Sequence, residues 1–160
     1  AESVDRYGST ELDAPYAGFV AWVGIATAVV MLGLLAIQRL RGKLNLIPGP
    51  DVALAALLVF VAFNRVNSPQ FFIWVGAIAA VTLLDERSRM LVPVALMFGS
   101  FLPVTQYIGN FYWALQAQTP ESVSLQVVRS VLAIASAFLA WWFVVSRKPY
   151  RDVNSSKARI

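Results

Sequence analysis

The chain has 160 residues, of which 58% are apolar and 14% charged, with a formal charge of +4 and neither cysteine nor histidine. Ordinary soluble domains carry ~45 to 50% apolar and ~25% charged residues, so this composition argues against a water-solvated globule. Without cysteine there is no disulfide framework or thiolate metal site, and without histidine zinc chemistry and His-dependent triads are excluded as well.

The apolar residues are gathered into long uncharged runs, for which the bilayer is the natural solvent. Residues 1–16 are polar and read as a loop segment ahead of them. Ala17 to Ile37 has no charge and makes a helix of roughly 30 Å, enough to cross the hydrocarbon layer. Pro48-Gly49-Pro50 then breaks the chain, and Asp51 is expected to N-cap the next helix. Val52 to Phe63 and Phe71 to Leu84 are charge-free but short, so each borrows flanking residues or stops inside the membrane's thickness. Met90 to Ile108, with Pro93 and Pro103, and Leu125 to Val145, with Arg129, complete five spans. Thr119-Pro120-Glu121 supplies an N-cap, a proline for the first turn and an acid near the positive helix end, so the fifth helix starts there. The expected fold is an all-α, polytopic transmembrane helical bundle over 17–146, followed by a basic cytoplasmic tail at 147–160 that is disordered after Pro149.

Five spans put the termini on opposite sides, and the Lys/Arg distribution orients them. Ten basic residues (Arg39, Arg41, Lys43, Arg87, Arg89, Arg147, Lys148, Arg151, Lys157 and Arg159) fall on one side, and three (Arg6, Arg65 and Arg129) on the other. The amino terminus is therefore expected outside and the carboxyl terminus in the cytoplasm. The positive charge reads as a topology signal and gives no reason to expect nucleic acid. Trp22, Tyr107, Tyr112 and Trp113 are expected as interfacial aromatics on the outer side, with Trp141, Trp142 and Tyr150 on the inner. Because the sequence opens Ala-Glu-Ser on the outer side, either a preceding segment was removed or the chain is the back portion of a longer polytopic protein.

The main local anomaly is Asn64-Arg65-Val66-Asn67-Ser68-Pro69-Gln70-Phe71-Phe72, which joins the two shortest runs. A loop there dips into membrane depth, where nonhelical backbone is tolerated only when packed in protein or lining a wet cavity. It offers a guanidinium, three amides and a hydroxyl, a set suited to phosphate oxygens, and Pro69 is expected to start the third helix with its free N–H groups at the same place. The competing reading is a capped helical hairpin whose Arg65 reaches out to the headgroups. Arg129, about ten residues into its helix, is the second anomaly. A charge near mid-bilayer costs ~2.5 to 3.5 kcal/mol on insertion scales and usually faces a cavity or partner, unless the first turns of that helix lie among the headgroups. Gln106 either joins the same site or bonds to a neighbouring helix. Asp85-Glu86 with Arg87 and Arg89 reads as a solvated turn. No carboxylate spacing singles out a catalytic base, and no motif calls for a cofactor.

Phe63-Asn64-Arg65-Val66-Asn67-Ser68-Pro69-Gln70-Phe71-Phe72-Ile73-Trp74 resembles the F-N-K-V-x-S-P-Q-(Y/F)-x-x-W signature of membrane-embedded class C glycosyltransferases. It is especially similar to the actinobacterial polyprenyl-phosphate-mannose-dependent alpha-mannosyltransferases, and more distantly to the first mannosyltransferase of GPI-anchor assembly. Glu2-Ser3-Val4 resembles the family's E-S-V element, Tyr7-Gly8-Ser9-Thr10-Glu11-Leu12 what often follows it, and Thr105-Gln106 and the Arg129 helix the closing segments. The whole chain then aligns with the C-terminal part of such an enzyme.

The resemblance implies a multi-pass protein of the bacterial inner membrane. It further implies a polyprenyl-phosphate-linked sugar donor, a glycolipid or glycan acceptor on the outer face, and an N-terminal partner region of the same enzyme that carries the catalytic acid. Asn64, Arg65, Ser68 and Gln70 are implied near the donor phosphate, with Gln106 and Arg129 as second contacts. Arg65 stands where the family usually has Lys, which keeps the charge and changes its geometry. Two other classes compete: a noncatalytic membrane subunit that binds partner helices, and a small transporter. The transporter would be expected to show intramembrane acids or symmetric halves, which this sequence lacks.

Overall fold

The computed structural model describes residues 2–6, 9–13, 16–45, 47–64, 70–106 and 119–147, with backbone alone for 2–6, 9–13 and 103–106. Two short strands, β1 (Glu2–Arg6) and β2 (Ser9–Asp13), pair antiparallel with Glu2 opposite Asp13 and Arg6 opposite Ser9. Five helices follow: α1 (Ala17–Leu40), α2 (Gly49–Phe63), α3 (Gln70–Leu83), α4 (Leu91–Gln106) and α5 (Pro120–Val145). They fall on the five expected apolar runs. The hairpin adds a β element to the expected loop at 1–16. The two-residue, glycine-containing spacing at Tyr7-Gly8 is a hairpin signal.

α1 and α5, of 24 and 26 residues, are long and apolar enough to cross a membrane by length and composition. α2, α3 and α4 have 15, 14 and 16 residues and are shorter apolar helices.

The helix ends follow from local chemistry. Thr119 caps α5, its Oγ1 accepting the Ser122 N–H at 3.3 Å, with Pro120 and Glu121 in the first turn as expected. Thr119→Ala is expected to lower stability by about 1 kcal/mol in detergent denaturation, and an unchanged midpoint would show the cap to be idle. α1 ends at Arg41, where Gly42 turns the chain with φ +74°, a conformation that favours glycine. The Arg41 and Lys43 N–H groups close the last turn onto the Ile37 and Gln38 carbonyls.

α2 corrects one expectation. Its N-cap is Pro48, and Asp51 lies inside the first turn without capping it. Gly49 and Pro50 already fit the first turn, where a missing N–H costs nothing, so the helix starts earlier and the Asp51 carboxylate is released for other partners.

α5 is the spine of the bundle. Its buried positions Arg129, Ala133, Ser136, Ala137, Ala140 and Val144 recur every three or four residues, and most are small, which lets neighbouring helices approach closely. Leu54, Leu58 and Val61 of α2, Val75 of α3 and Met97 of α4 close the core around it. The Ser136 hydroxyl donates to the Pro93 carbonyl at 2.7 Å, fastening α5 to the start of α4.

Helices consecutive in sequence run antiparallel. Phe60 and Phe71 meet edge to face at 5.9 Å where α2 ends and α3 begins, and Phe72 meets Phe98 and Phe101 where α3 begins and α4 ends. Asn64, Gln70, Gln106 and Thr119 therefore share one end of the bundle, called here the amide end. Of the expected interfacial aromatics, Trp22 and Trp142 are exposed. Trp141 is instead turned into the seam between α5 and α1, its indole N–H donating to the Met31 carbonyl at 3.1 Å. Burying the ring there satisfies its one donor, which an apolar seam otherwise leaves unpaired. Tyr107, Tyr112, Trp113, Tyr150 and the tail from 148 lie outside the described residues.

Candidate functional site

The six residues singled out by sequence divide into three groups. Arg65 and Ser68 lie outside the described residues, as does the whole 65–69 segment. Asn64, Gln70 and Gln106 sit at the amide end. Asn64 is the half-buried C-cap of α2 with an extended backbone (φ −74°, ψ 134°), Gln70 is the exposed first residue of α3, and Gln106 is the last residue of α4. Arg129 lies within α5, about 14 Å from the start of that helix at Pro120.

The register between helices fixes how far apart these groups lie. Ser136 bonds to Pro93 and Leu132 packs against Gly99, so Arg129 falls about one turn short of Gln106 along α4. Phe63, by contrast, meets Phe138 at 6.2 Å, so α2 ends while α5 still has about two turns to run before Arg129. Asn64 thus flanks the same end as Arg129 without reaching its level. The short α2 leaves α5 overhanging it.

Arg129 is only 8% exposed. Its guanidinium donates to Gln126 Oε1 at 3.3 Å, from the preceding turn, and among the described residues no carboxylate pairs with it. A guanidinium carries five N–H donors. Among the described residues no fully buried side-chain nitrogen or oxygen lacks a partner, so the remaining donors open onto accessible space. A cation held by one neutral amide, with donors to spare, can bind anionic oxygens at short range. Gln126 is the functional candidate that sequence reading missed. Its position three residues before Arg129, on the same face, was the available signal.

A second polar cluster, also missed, closes the opposite end. Asp51 Oδ2 pairs with the Arg147 guanidinium at 2.8 Å, and Oδ1 accepts the Ser88 hydroxyl at 2.9 Å. Arg147 also donates to the Arg87 carbonyl, which ties the end of α5 to both α2 and the turn before α4. The expected solvated turn at Asp85–Arg89 is exposed at Glu86, Arg87 and Arg89, and Asp85 Oδ1 accepts the Arg87 N–H at 2.9 Å. Asp51 precedes the apolar run that begins at Val52. Burial pushes its carboxyl above the ordinary value, while the Ser88 hydrogen bond and the Arg147 charge pull it back.

Among the described residues no group of acidic residues is arranged to hold a metal ion. No protein family, curated protein or solved structure matches the chain.

Proposed function

We propose that the chain is the C-terminal membrane portion of an inverting glycosyltransferase. It moves a sugar, with mannose as the first candidate, from a polyprenyl-phosphate donor to a cell-envelope glycolipid or glycan on the outer face. In this reading all five helices cross the bacterial inner membrane, with the amide end outside and the Asp51–Arg147 end in the cytoplasm, in accord with the ten-to-three division of basic residues. Helices of 14 to 16 residues span only about 21 to 24 Å, less than a hydrocarbon layer of roughly 30 Å. The ends of α2 and α3 at Asn64 and Gln70, which flank the motif, are then expected below the membrane surface, within reach of a lipid-linked phosphate.

The observation that carries the proposal is Arg129, a buried cation in an apolar helix, at the end of the bundle that bears the Asn64–Trp74 motif. In the reaction an acceptor oxygen attacks the anomeric carbon, the carbon–oxygen bond to phosphate breaks, and the lipid phosphate departs with the electron pair. Positive charge at Arg65 and Arg129 stabilises the charge that develops on it, while Ser68 and Gln70 hold its oxygens, Asn64 flanks them from the end of α2 and Gln106 adds a further contact. The acceptor proton goes to a base supplied by the N-terminal part of the same enzyme.

Arg65→Ala in the intact enzyme is expected to raise the donor KM about 10- to 100-fold, the worth of a charged hydrogen bond. Unchanged donor KM and kcat would refute the role.

One observation favours a second reading, a noncatalytic subunit that binds partner helices: α1 leaves Phe19, Trp22, Val29 and Val30 uncovered. Expressing these 160 residues alone separates the two. Retention of the lipid-linked sugar favours the enzyme, and stable association with another polytopic protein without such binding favours the subunit.

A further inference from the structure

We propose that the groove between α1 and α5 holds one hydrocarbon chain of an anionic phospholipid, with Arg41 against the lipid phosphate. This rests on α1 crossing a membrane and not on sugar transfer, so either reading can fail alone.

The groove has a volume of about 470 Å³ and is lined by Val23, Thr27, Val30 and Leu34 of α1 and by Phe138 and Trp141 of α5. Its two polar groups are already spent. The Thr27 hydroxyl donates to the Val23 carbonyl at 2.8 Å, and the Trp141 indole to the Met31 carbonyl at 3.1 Å. The wall offers no free donor to a polar ligand, so its occupant is hydrocarbon.

Size narrows the choice. The groove runs roughly 16 Å from Val23 to Leu34 and stops roughly 10 Å short of Arg41, so a chain headed at Arg41 lies nearly extended to fill it. A whole helix of ~10 Å diameter over that length needs more than twice the groove's volume. A single alkyl chain is the better fit.

Charge in register identifies the headgroup. Arg41 lies seven residues after Leu34, two turns along the same face of α1. It is exposed at the helix C-cap, and exposed Lys43 follows it. A chain lying in the groove therefore brings its phosphate to a fixed cation rather than to open water. A zwitterionic lipid gains less from that cation, because its own cationic group already offsets its phosphate.

The test is native mass spectrometry of the intact protein in detergent, offered phosphatidylglycerol and phosphatidylcholine with identical acyl chains. One retained lipid is expected, with phosphatidylglycerol favoured about fivefold, the worth of one basic residue beside an anionic headgroup. Arg41→Gln should erase the preference while keeping the lipid. Ala26 lines the groove from an exposed position. Ala26→Phe should fill the groove and lower retention of both lipids at least fivefold. Equal retention of the two lipids by the unaltered protein, or full retention by Ala26→Phe, would overturn the proposal. A photo-crosslinker at exposed Val30 in native membranes decides the matter independently of those variants. An adduct of lipid mass supports the proposal, and an adduct to a protein helix overturns it.

Discussion

Under the proposed sugar-transfer function, replacing Arg129 by Gln in the intact protein is expected to lower kcat/KM for the polyprenyl-phosphate donor by ~10²- to 10³-fold, the usual cost of removing one electrostatic contact to a developing anion. The effect is larger than for Arg65→Ala because Arg129 is already buried and fixed by Gln126, so its charge acts where water screens it little. Gln keeps the polar contact to Gln126 and fits the volume, so thermal stability should hold or rise once the buried charge is gone. Arg129→Lys should recover part of the activity, since charge is kept and the forked geometry is lost. Steady-state kinetics alongside a melting curve separate the roles. A kcat/KM within twofold of the parent would remove Arg129 from the site, and a drop in melting temperature with normal activity would make it structural.

At the opposite end, Arg147→Ala is expected to cost roughly 2 to 3 kcal/mol, because it leaves the Asp51 carboxylate buried with only the Ser88 hydroxyl. Asp51→Ala should cost less. The Asp51 side chain is 2% exposed and Arg147 21%, so an abandoned Arg147 can turn to water while an abandoned Asp51 cannot. The penalty also depends on pH. Burial already raises the Asp51 carboxyl above its ordinary value of 3.8, so the folded state holds that proton more tightly than the unfolded state does. Stability from this group is therefore fully present below about the ordinary value and lost as pH rises through the raised one. Arg147 opposes that rise, and without it the raised value climbs further. Denaturation of Arg147→Ala should show its smallest deficit in acid and a growing one toward neutral pH. A deficit independent of pH, or an Asp51→Ala deficit equal to it, would mean the pair contributes packing alone.

Much of the bundle was legible because uncharged runs and helix punctuation are local signals. Thr119-Pro120-Glu121 set the start of α5. The same kind of rule misled at Asp51, which has the right residue type for a cap. Its partners Ser88 and Arg147 are 37 and 96 residues away, and no local pattern contains them. Trp141 was misread for a related reason. On the apolar last turns of α5, position along the axis suggests an interface, but only packing decides which face meets α1. In the site, Arg129 stood out because a charge in an apolar run is anomalous, whereas Gln126 did not, being a neutral side chain whose role depends on its neighbour. The axial offset between Asn64 and Arg129 was beyond sequence altogether, since it comes from how far α2 reaches along α5. Arg65 and Ser68 stand as motif readings outside the described residues.

The three-way junction of Asp51, Ser88 and Arg147 makes the two ends of the molecule mechanically unequal. Charge and hydrogen bonds lock the helices there, whereas at the far end the described contacts between α2, α3 and α4 are edge-on rings. Aromatic faces slide more easily than ion pairs break, so resistance to local opening is expected to be greatest at the locked junction and to fall toward the far end.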